Sequence, residues 1–503
     1  MDIVGIFAAL LNVVGSPYHV FLLLIAVPAG MFFGAIPGLG GKLGIVLAIP
    51  FVFGMDPLAG AIFLVSMHAV VHTGGSIPSI LFGVPGTGPD AATIVDGLPM
   101  TRNGEAGRAI GAALGASGVG GVIGGLFLLA IMPLLRPVVL AFGPAEFFLL
   151  ALFGITFIAM LAGDSLIKGL LVGLFGLMLA TVNLDPQTGT QRYTFDFLFL
   201  WDGVDIITAV LGIFAIPEMI ALGVAGGAMA DVKQRASYGL SGVLQGIRDV
   251  FRHWGLTLRT SIIGAFIGMI PGLGGDAASW ICYGHAVQSS KTPERFGKGA
   301  EEGVIAPETA NNSKEGGSLL PTLFFGVPGS SGMAILLGAF IMLGIQPGPG
   351  LALDGMDVVW TLIWALMIAN VVAVAMFFVL APAFGYLSYV RGSLLIPFVL
   401  TLTYLGSYLS HRAWENLVLL TVLGGLGYLM KKYEWPRPPF VIGLILGPVV
   451  EDSFHKAFAL WGPAFLLRPG AMFMMALIIV SFTVYFWRRR NKTNQIQVQE
   501  HVA

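Results

Sequence analysis

The densest group of chemically active side chains is the stretch 301–317, which reads Glu-Glu-Gly-Val-Ile-Ala-Pro-Glu-Thr-Ala-Asn-Asn-Ser-Lys-Glu-Gly-Gly. It brings carboxylates, amides and hydroxyls into an otherwise apolar chain. Such oxygens coordinate cations, and amides and hydroxyls hydrogen-bond carboxylic acids. The leading acids, Glu301 and Glu302, are predicted to be solvated loop charges. The predicted contacts are Glu308 and Thr309 for a coupling ion, and Asn311, Asn312 and Ser313 for a substrate.

Two histidines form a second candidate group. His68 and His72 lie four residues apart in the polar stretch 66–73, so a helix would place them on one face. That spacing suits zinc, but a zinc site needs at least a third protein ligand. The sequence therefore favours a protonatable pair or two buried, hydrogen-bonded histidines, and no resident metal is predicted.

Two glycine-rich motifs each occur twice. Gly34-Ala-Ile-Pro-Gly-Leu-Gly-Gly41 returns as Gly268-Met-Ile-Pro-Gly-Leu-Gly-Gly275, and the offset between the prolines is 271 − 37 = 234. The segment from Gly74 to Thr87 returns from Gly316 to Ser330 with an offset of 328 − 85 = 243. Matching Gly/Pro-interrupted segments in two halves of a membrane protein indicate an internal duplication and a substrate site.

The broken segments suggest how that site would work. Proline lacks an N–H and glycine tolerates unusual backbone angles, so a helix should break at each motif. A new helix then begins with free N–H groups, which favour a carboxylate, while the freed carbonyls can hold a cation. The alternative is that small residues only let helices pack closely. The substrate contacts predicted from these motifs are Gly38, Gly40, Gly41, Ser76, Pro85, Gly86, Thr87, Gly272, Gly274, Gly275, Gly329 and Ser330.

The first motif pair differs at one position. Lys42 follows Gly41, whereas Asp276 follows Gly275. An ionisable residue at membrane depth is a functional hypothesis by default. We predict that Lys42 contacts an anionic substrate and that Asp276 helps to hold a coupling ion. The alternative is that the two residues pair with each other or reach a polar surface.

The composition is that of a membrane protein. The 503 residues are 56% hydrophobic and 11% charged, whereas a soluble domain carries about 25% charged residues. Apolar runs recur along the chain, and we predict an all-α polytopic protein with about a dozen transmembrane or re-entrant helices. A single cysteine, Cys282, excludes an internal disulfide framework. The N-terminus has no basic n-region and its first positively charged residue is Lys42, so no cleavable signal peptide is predicted.

Loop charges predict that the two halves are inverted in the membrane. The loop at 102–108 is basic and its counterpart at 346–357 is acidic, while 55–57 is acidic and its counterpart at 291–298 is basic. Positive loops mark the cytoplasmic side, so equivalent loops should lie on opposite sides, with the basic C-terminus in the cytoplasm. The predicted divisions are 1–230 for the first inverted repeat, 231–259 for a basic cytoplasmic connector, 260–455 for the second repeat, and 456–503 for a further transmembrane helix and tail.

The motifs together resemble the TctA family, the large membrane subunit of tripartite tricarboxylate transporters. The resemblance covers about residues 18–455 and is carried by Gly-Ala-Ile-Pro-Gly-Leu-Gly-Gly41, Ile-Pro-Ser-Ile-Leu-Phe-Gly-Val-Pro-Gly86, Phe214-Ala-Ile-Pro-Glu218 and Ala306-Pro-Glu-Thr-Ala-Asn-Asn312. It implies a bacterial inner-membrane importer of tri- or dicarboxylates driven by Na⁺ or H⁺. It also implies two partners, a small four-helix TctB-like membrane subunit and a periplasmic TctC-like solute-binding protein. No catalytic residue, cofactor or nucleic-acid partner is predicted.

Two other functions stay open at this stage. One is a polytopic membrane enzyme, which would need a catalytic constellation facing one side. The other is a carboxylate carrier or channel that works without a binding protein. Saturable uptake that depends on an ion gradient and on a binding protein separates the tripartite importer from both.

Overall fold

The computed structural model describes residues 2–36, 40–161, 165–185, 188–225, 239–270, 274–387 and 392–483. Within these ranges the chain is almost entirely helical, with one antiparallel pair of two-residue strands, β1 (Asn183–Leu184) and β2 (Gln191–Arg192). The helices are α1 Ile3–Val14, α2 Pro17–Ala35, α3 Gly40–Val52, α4 Pro57–Phe82, α5 Ala91–Arg102, α6 Ala106–Ala141, α7 Pro144–Leu161, α8 Leu166–Ala180, α9 Ile206–Val210, α10 Ile216–Ala225, α11 Leu240–Arg252, α12 Trp254–Gly268, α13 Gly274–Ser289, α14 Glu302–Phe325, α15 Ser331–Met342, α16 Pro349–Leu353, α17 Met356–Leu387, α18 Gly392–His411, α19 Glu415–Lys432, α20 Pro438–Trp461 and α21 Pro469–Thr483.

Five of the described helices are long and apolar enough to cross a membrane. A sixth span results if the bent pair formed by 438–467 and 469–483 is counted as one. The all-helical membrane architecture is thus confirmed in its coarse form, whereas the larger number of about a dozen spans is not. The candidate spans are Pro17–Ala35, Pro57–Phe82, Ala106–Leu135, Ile206–Val224 and Met356–Phe378. The span Ile206–Val224 runs continuously through α9, the π-helical segment Leu211–Ala215 and α10.

The chain forms two compact units. The first contains 1–139 and 204–433, and the second contains 140–203 and 434–503. Both copies of each glycine motif belong to the first unit. The predicted boundaries of the two repeats stay predictions, and residues 231–238 of the predicted connector lie outside the described ranges.

Glycines let α2 pack directly on α4 in the first unit. A Cβ atom on Gly34 would lie 1.8 Å from the carbonyl oxygen of Val71, far inside any real contact. The same arrangement recurs where α12 meets α14, because a Cβ on Gly268 would lie 2.1 Å from the carbonyl oxygen of Lys314. The offsets, 268 − 34 = 234 and 314 − 71 = 243, equal those of the sequence motifs. Close packing of small residues therefore accounts for these two glycines.

The second repeated motif is a helix end followed by a helix start. α4 and α14 are followed by Gly83 and Gly326, whose φ angles of +69° and +64° suit glycine. Thr87 then precedes a short 3₁₀ turn, and the hydroxyl of Ser330 caps α15 by accepting a hydrogen bond from the Met333 N–H at 3.2 Å. Each copy thus reverses the chain at the end of a long helix.

The second unit is built on α7, α8 and α20. A Cβ on Gly176 of α8 would lie 2.1 Å from the carbonyl oxygen of Phe440 on α20, so glycine again allows close helix packing. Arg192 of β2 reaches Glu451 of α20, with Nη2 3.1 Å from Oε2. This ion pair ties the short strand pair to the long helix.

Candidate functional site

A buried cluster of acids and bases lies where α4 and α14 meet in the first unit. Glu315 is fully buried, and its two carboxylate oxygens lie 3.0 Å from Nε2 of His68 and 3.0 Å from Nε2 of His72. The Lys314 ammonium, 2% exposed, also hydrogen-bonds Glu315. Two histidines at helical spacing thus share one carboxylate with a lysine. The prediction that they form a protonatable or hydrogen-bonded buried pair fits this geometry.

The repeated motif in the first half adds a second carboxylate to this cluster. Nδ1 of His72 lies 2.9 Å from the hydroxyl of Thr87, and that hydroxyl donates to Asp90 Oδ2 at 2.6 Å. Asp90 also accepts hydrogen bonds from the Thr87 N–H at 2.8 Å and from the side-chain amide of Asn311 at 3.1 Å. A continuous chain of contacts therefore runs from Glu315 through His72 to Asp90. We call His68, His72, Asp90, Lys314 and Glu315, with Thr87 and Asn311, the central cluster.

The lysine of the central cluster lies beside the second glycine motif. A Cβ on Gly275 would lie 2.9 Å from Nζ of Lys314 and 2.6 Å from Pro89. Gly274, with φ +63°, begins α13, and its Cβ position would be 4.0 Å from the Cβ of Ser330, where α15 begins. The starts of two helices and a buried ammonium therefore lie in one neighbourhood, which is the arrangement that favours a carboxylate.

Several buried polar atoms near α4 and α14 have no hydrogen-bond partner among the described residues. They include the amide oxygens of Asn311 and Asn312, Nδ1 of His68 and the hydroxyl of Ser66. The amide nitrogen of Asn312 lies within hydrogen-bond distance of three acceptors, namely the carbonyl of Ala69 and the side chains of Thr73 and Asn370. Buried polar atoms are normally paired, so these atoms are suited to a ligand or water.

The predicted coupling-ion residues take different positions. Glu308 is fully buried on α14 and accepts hydrogen bonds from the hydroxyls of Thr93 and Ser117. Thr309 hydrogen-bonds the carbonyl of Ile305 on its own helix at 2.6 Å. Glu308 therefore offers a buried carboxylate held by two donors, and the Thr309 hydroxyl is used within its helix.

The predicted substrate residues of the second motif pair lie at close backbone approaches. A Cβ on Gly86 would lie 2.3 Å from the carbonyl oxygen of Gly34, and one on Gly329 would lie 2.8 Å from that of Gly268. Gly86 and Gly329 thus bring the two copies of the repeated turn against the ends of α2 and α12, respectively. Pro85 is exposed, Ser76 hydrogen-bonds the carbonyl of Thr73 at 2.9 Å, and Ser313 that of Ala310 at 3.3 Å.

Comparison with known proteins places the chain in a family. A model of the family described as "Tripartite tricarboxylate transporter TctA family" matches residues 20–442. The chain belongs to the TctA family. It is similar to an uncharacterized 52.8 kDa protein in the TAR-I ttuC' 3' region of Agrobacterium vitis, with 30% identity over 492 residues, 96% of this chain and 97% of the relative. A second protein of the same organism, in the TAR-II ttuC' 3' region, is 29% identical over 241 residues, 47% of this chain and 100% of the relative. No solved structure matches.

The first motif pair of this TctA chain is described only in part. Gly38 and Gly272 lie outside the described residues, as does the side chain of Asp276. Separate helices nevertheless flank each motif, since α2 ends at Ala35 before α3 begins at Gly40, and α12 ends before α13 begins. Lys42 is exposed on α3. At Gly41 a Cβ would lie 1.6 Å from a methyl group of Val71, so this glycine is required by packing.

Four residues near the central cluster had no role predicted from the sequence, namely Lys314, Glu315, Asp90 and Asn370. The first two lie in the polar stretch that the sequence singled out, but nothing showed that they point inwards. One signal was available, because 315 − 72 = 243 makes Glu315 the counterpart of His72 under the motif offset. Applying that offset residue by residue would have paired the acid with the base.

A second charged cluster surrounds the start of α14. Arg108 lies 2.6 Å from Asp249 and 3.3 Å from Glu301, and Arg295 lies 2.7 Å from the other oxygen of Glu301. Glu301 is 7% exposed, so the prediction of a solvated loop charge was wrong for this residue, because the arginines of α6 and the preceding loop enclose it. We call Arg108, Asp249, His253, Arg295, Glu301 and Glu302 the entry cluster.

Two residues of the entry cluster, Glu301 and His253, have shifted pKa values. The neighbouring His253, followed by the two arginines, lowers the pKa of Glu301 to about 2, and Glu301 in turn raises the pKa of His253. Ligand atoms of His253, Glu301 and Glu302 lie within 4.8 Å of one another, a spacing compatible with a metal ion. The guanidinium groups already contact carboxylate oxygens of both acids. Among the described residues, Nε2 of His253 and the other carboxylate oxygen of Glu302 have no hydrogen-bond partner.

Proposed function

We propose that this chain is the large permease subunit of a tripartite secondary transporter that imports tri- or dicarboxylates with a cation. Membership of the TctA family supports a component of a tricarboxylate transporter. The observation that carries the finer proposal is the central cluster. Buried ionisable residues within a membrane protein are expensive and are normally retained for transport or proton relay.

The substrate's carboxylates would be held beside the second glycine motif. Lys314 offers a positive charge 2.9 Å from the Cβ position of Gly275, and α13 and α15 begin close by. Free N–H groups at these helix starts complement a carboxylate. We extend the proposal to the corresponding glycines of the first half and to Thr87, because the same turn is built there.

Two inverted repeats would provide this symmetry. The two copies of glycine-mediated packing occur at the same sequence offsets as the motifs, and the loop charges change sign between equivalent loops. We propose that these repeats supply the larger number of membrane segments, including re-entrant ones, with the C-terminus in the cytoplasm of a bacterial inner membrane. The small membrane subunit and the solute-binding protein are the proposed partners, and the latter would deliver the carboxylate.

The test is uptake of labelled citrate and a panel of other di- and tricarboxylates. Cells would express the chain with its small subunit, with and without the binding protein. Saturable uptake that needs the binding protein and collapses with the ion gradient supports the proposal. Uptake that ignores the binding protein points to an ordinary carrier, and turnover of the compound without its movement points to a membrane enzyme.

A matched pair of lysine variants locates the substrate site. Lys314→Gln removes the buried ammonium, whereas Lys456→Gln removes an ammonium whose side chain is 62% exposed in the second unit. We expect uptake to fall at least about tenfold in the first variant, since a buried charge-assisted contact is worth roughly 1.5–3 kcal/mol, and to stay at wild-type level in the second. Equal uptake by both variants at equal membrane amounts would remove Lys314 from the site.

A further inference from the structure

The hydrogen bonds of His72 fix which of its nitrogens can exchange a proton. Asp90 accepts three hydrogen bonds, from the Thr87 N–H, the Thr87 hydroxyl and the Asn311 amide, and three donors stabilise the ionised carboxylate. The single hydroxyl hydrogen of Thr87 is therefore used on Asp90. The Thr87 oxygen must accept from His72, which places a hydrogen on Nδ1 of His72.

The other nitrogen of His72 has two partners that suit its two protonation states. Nε2 lies 3.0 Å from a carboxylate oxygen of Glu315 and 3.4 Å from the ammonium of Lys314. A protonated Nε2 donates to Glu315, while an unprotonated Nε2 accepts from Lys314. Each protonation state thus has a hydrogen-bond partner within 3.4 Å, and Nε2 exchanges Glu315 for Lys314 as its partner when it loses its proton.

The charge balance around His72 also changes when that proton binds or leaves. Asp90 and Glu315 contribute two negative charges and Lys314 one positive charge, all of them buried. Protonation of His72 adds one positive charge beside the buried carboxylate of Glu315, and deprotonation removes it. Since a buried carboxylate favours a nearby positive charge, the unprotonated state attracts a cation. Glu308, two turns away on α14, is held by Thr93 and Ser117, and the side chain of Asp276 on α13 lies outside the described residues.

His68 suits this role less well. Its Nε2 contacts Glu315 at 3.0 Å, but its buried Nδ1 has no hydrogen-bond partner in the described part of the chain. A second proton on His68 would therefore leave a buried N–H without an acceptor, which is unfavourable. In contrast, both nitrogens of His72 have acceptors when the ring is fully protonated.

We propose that His72 is the proton carrier that couples transport to the proton gradient. The inference rests on the proposed function and narrows its coupling ion to H⁺. Nε2 takes a proton from water on one side of the membrane and returns it to water on the other side. No bond to the substrate forms or breaks. Thr87 and Asp90 act as positioning residues, because they hold Nδ1 in its protonated form and direct Nε2 at Glu315 and Lys314.

The experiment uses proteoliposomes with the full complex, a carboxylate from the uptake panel and a pH-sensitive dye inside the vesicles. Wild type should accumulate the carboxylate under an inward proton gradient without sodium, and protons should enter in a fixed ratio to substrate. His72→Gln keeps an amide that can bond Glu315 but cannot titrate. It should lose gradient-driven accumulation at least about tenfold, while exchange of labelled for unlabelled carboxylate stays measurable and reports a folded protein.

Three further variants distinguish loss of proton coupling from simple unfolding. His455→Gln changes an exposed histidine of the second unit and should leave coupling at wild-type level. Thr87→Val removes the acceptor of the His72 Nδ1 hydrogen, so the pH of half-maximal uptake should move about one unit towards acid, and Thr87→Ser should restore it. Intact proton-coupled accumulation by His72→Gln, or accumulation by wild type that is driven by sodium without proton entry, overturns the inference and leaves the transporter standing. Absence of any carboxylate exchange by wild type overturns the proposed function and the inference together.

Discussion

The central cluster and the entry cluster both contain acids of α14 or of the residue that precedes it, yet they are built differently. At the start of α14 each carboxylate of Glu301 and Glu302 meets a guanidinium that is itself partly exposed. In the middle of α14, Glu315 meets two histidines and a lysine, all buried. Arginine is permanently charged, whereas histidine exchanges protons near neutral pH. The two clusters thus differ in burial and in their arginines: α14 begins among partly exposed arginine pairs, beside His253, and continues into a buried group in which two histidines share one carboxylate.

The largest difference should appear when each acid is removed. Glu315→Ala removes the buried carboxylate that contacts Lys314 and both histidines, so we expect the free energy of unfolding to fall by about 3–5 kcal/mol. Glu301→Ala frees arginines that reach water and should cost about 1–2 kcal/mol. Denaturant unfolding of the purified protein in detergent measures both. Asp452→Ala, which removes an exposed partner of Lys456, is the control and should stay within about 0.5 kcal/mol.

A smaller effect is expected from the glycine behind the central cluster. Gly268→Ala would place a Cβ 2.1 Å from the Lys314 carbonyl oxygen, and the forced backbone shift should destabilise the protein by about 1–3 kcal/mol. Gly284→Ala, on α13, meets no atom within 4 Å and should be neutral or slightly stabilising. Equal melting temperatures of the two variants would mean that α12 and α14 do not need close contact.

The entry cluster should respond to pH in two opposite directions. The pKa of Glu301 is lowered to about 2, so its stabilising contribution is present above the ordinary value of 4.5 and is lost as pH falls towards 2. The pKa of His253 is raised, so its contribution is complete below 6.5 and is lost as pH rises through the raised value. Each contribution should amount to roughly 1 kcal/mol because the groups are partly screened by solvent.

Melting temperature against pH checks these two arms. Glu301→Gln should remove the loss of stability at acid pH, and His253→Gln should remove the loss of stability at alkaline pH. Each substitution should also reduce the other loss, because the two groups interact. A wild-type profile that both substitutions leave unchanged would show that the entry cluster carries no titrating ion pair.

The smallest effect on stability is expected at Lys42. This lysine is exposed on α3, so Lys42→Ala should change the free energy of unfolding by less than about 0.5 kcal/mol. We nevertheless expect weaker substrate binding, since Lys42 follows the first glycine motif. Uptake measured against substrate concentration should show a higher KM. An unchanged KM would mean that Lys42 does not contact the substrate, and Lys314 would remain as the proposed positive contact.

Repetition made part of the molecule predictable from the sequence. The motifs at offsets of 234 and 243 predicted two equivalent structures, and Gly34 with Gly268, and Gly83 with Gly326, take equivalent positions in the fold. The polar stretch of α14 and the pair of His68 and His72 were also visible, because polar residues in an apolar chain stand out. The resemblance to TctA was confirmed by the family match.

The contacts within the central cluster could not be predicted in the same way. Which face of α14 points inwards depends on packing against α4 and α12, so Lys314 and Glu315 could equally have reached water. Asp90 ends a short 3₁₀ turn, and its carboxylate accepts a hydrogen bond from the side-chain amide of Asn311, 221 residues away in the chain. No local pattern in the sequence indicated this contact. Glu301 was misjudged because one of its partners, Arg108, comes from the distant helix α6, although Arg295 is only six residues away in the preceding loop. Long-range contacts of this kind follow from the fold and carry no local signal.

Carboxylate uptake by Glu315→Gln and Glu301→Gln at matched amounts in the membrane tests the central claim most directly. Both substitutions remove one carboxylate charge and keep the shape of the side chain, but only Glu315 contacts His68, His72 and Lys314. The account predicts that Glu315→Gln loses at least about tenfold of gradient-driven uptake, while Glu301→Gln transports at close to the wild-type rate. Full uptake by Glu315→Gln would contradict the placement of the transport site where α4 meets α14.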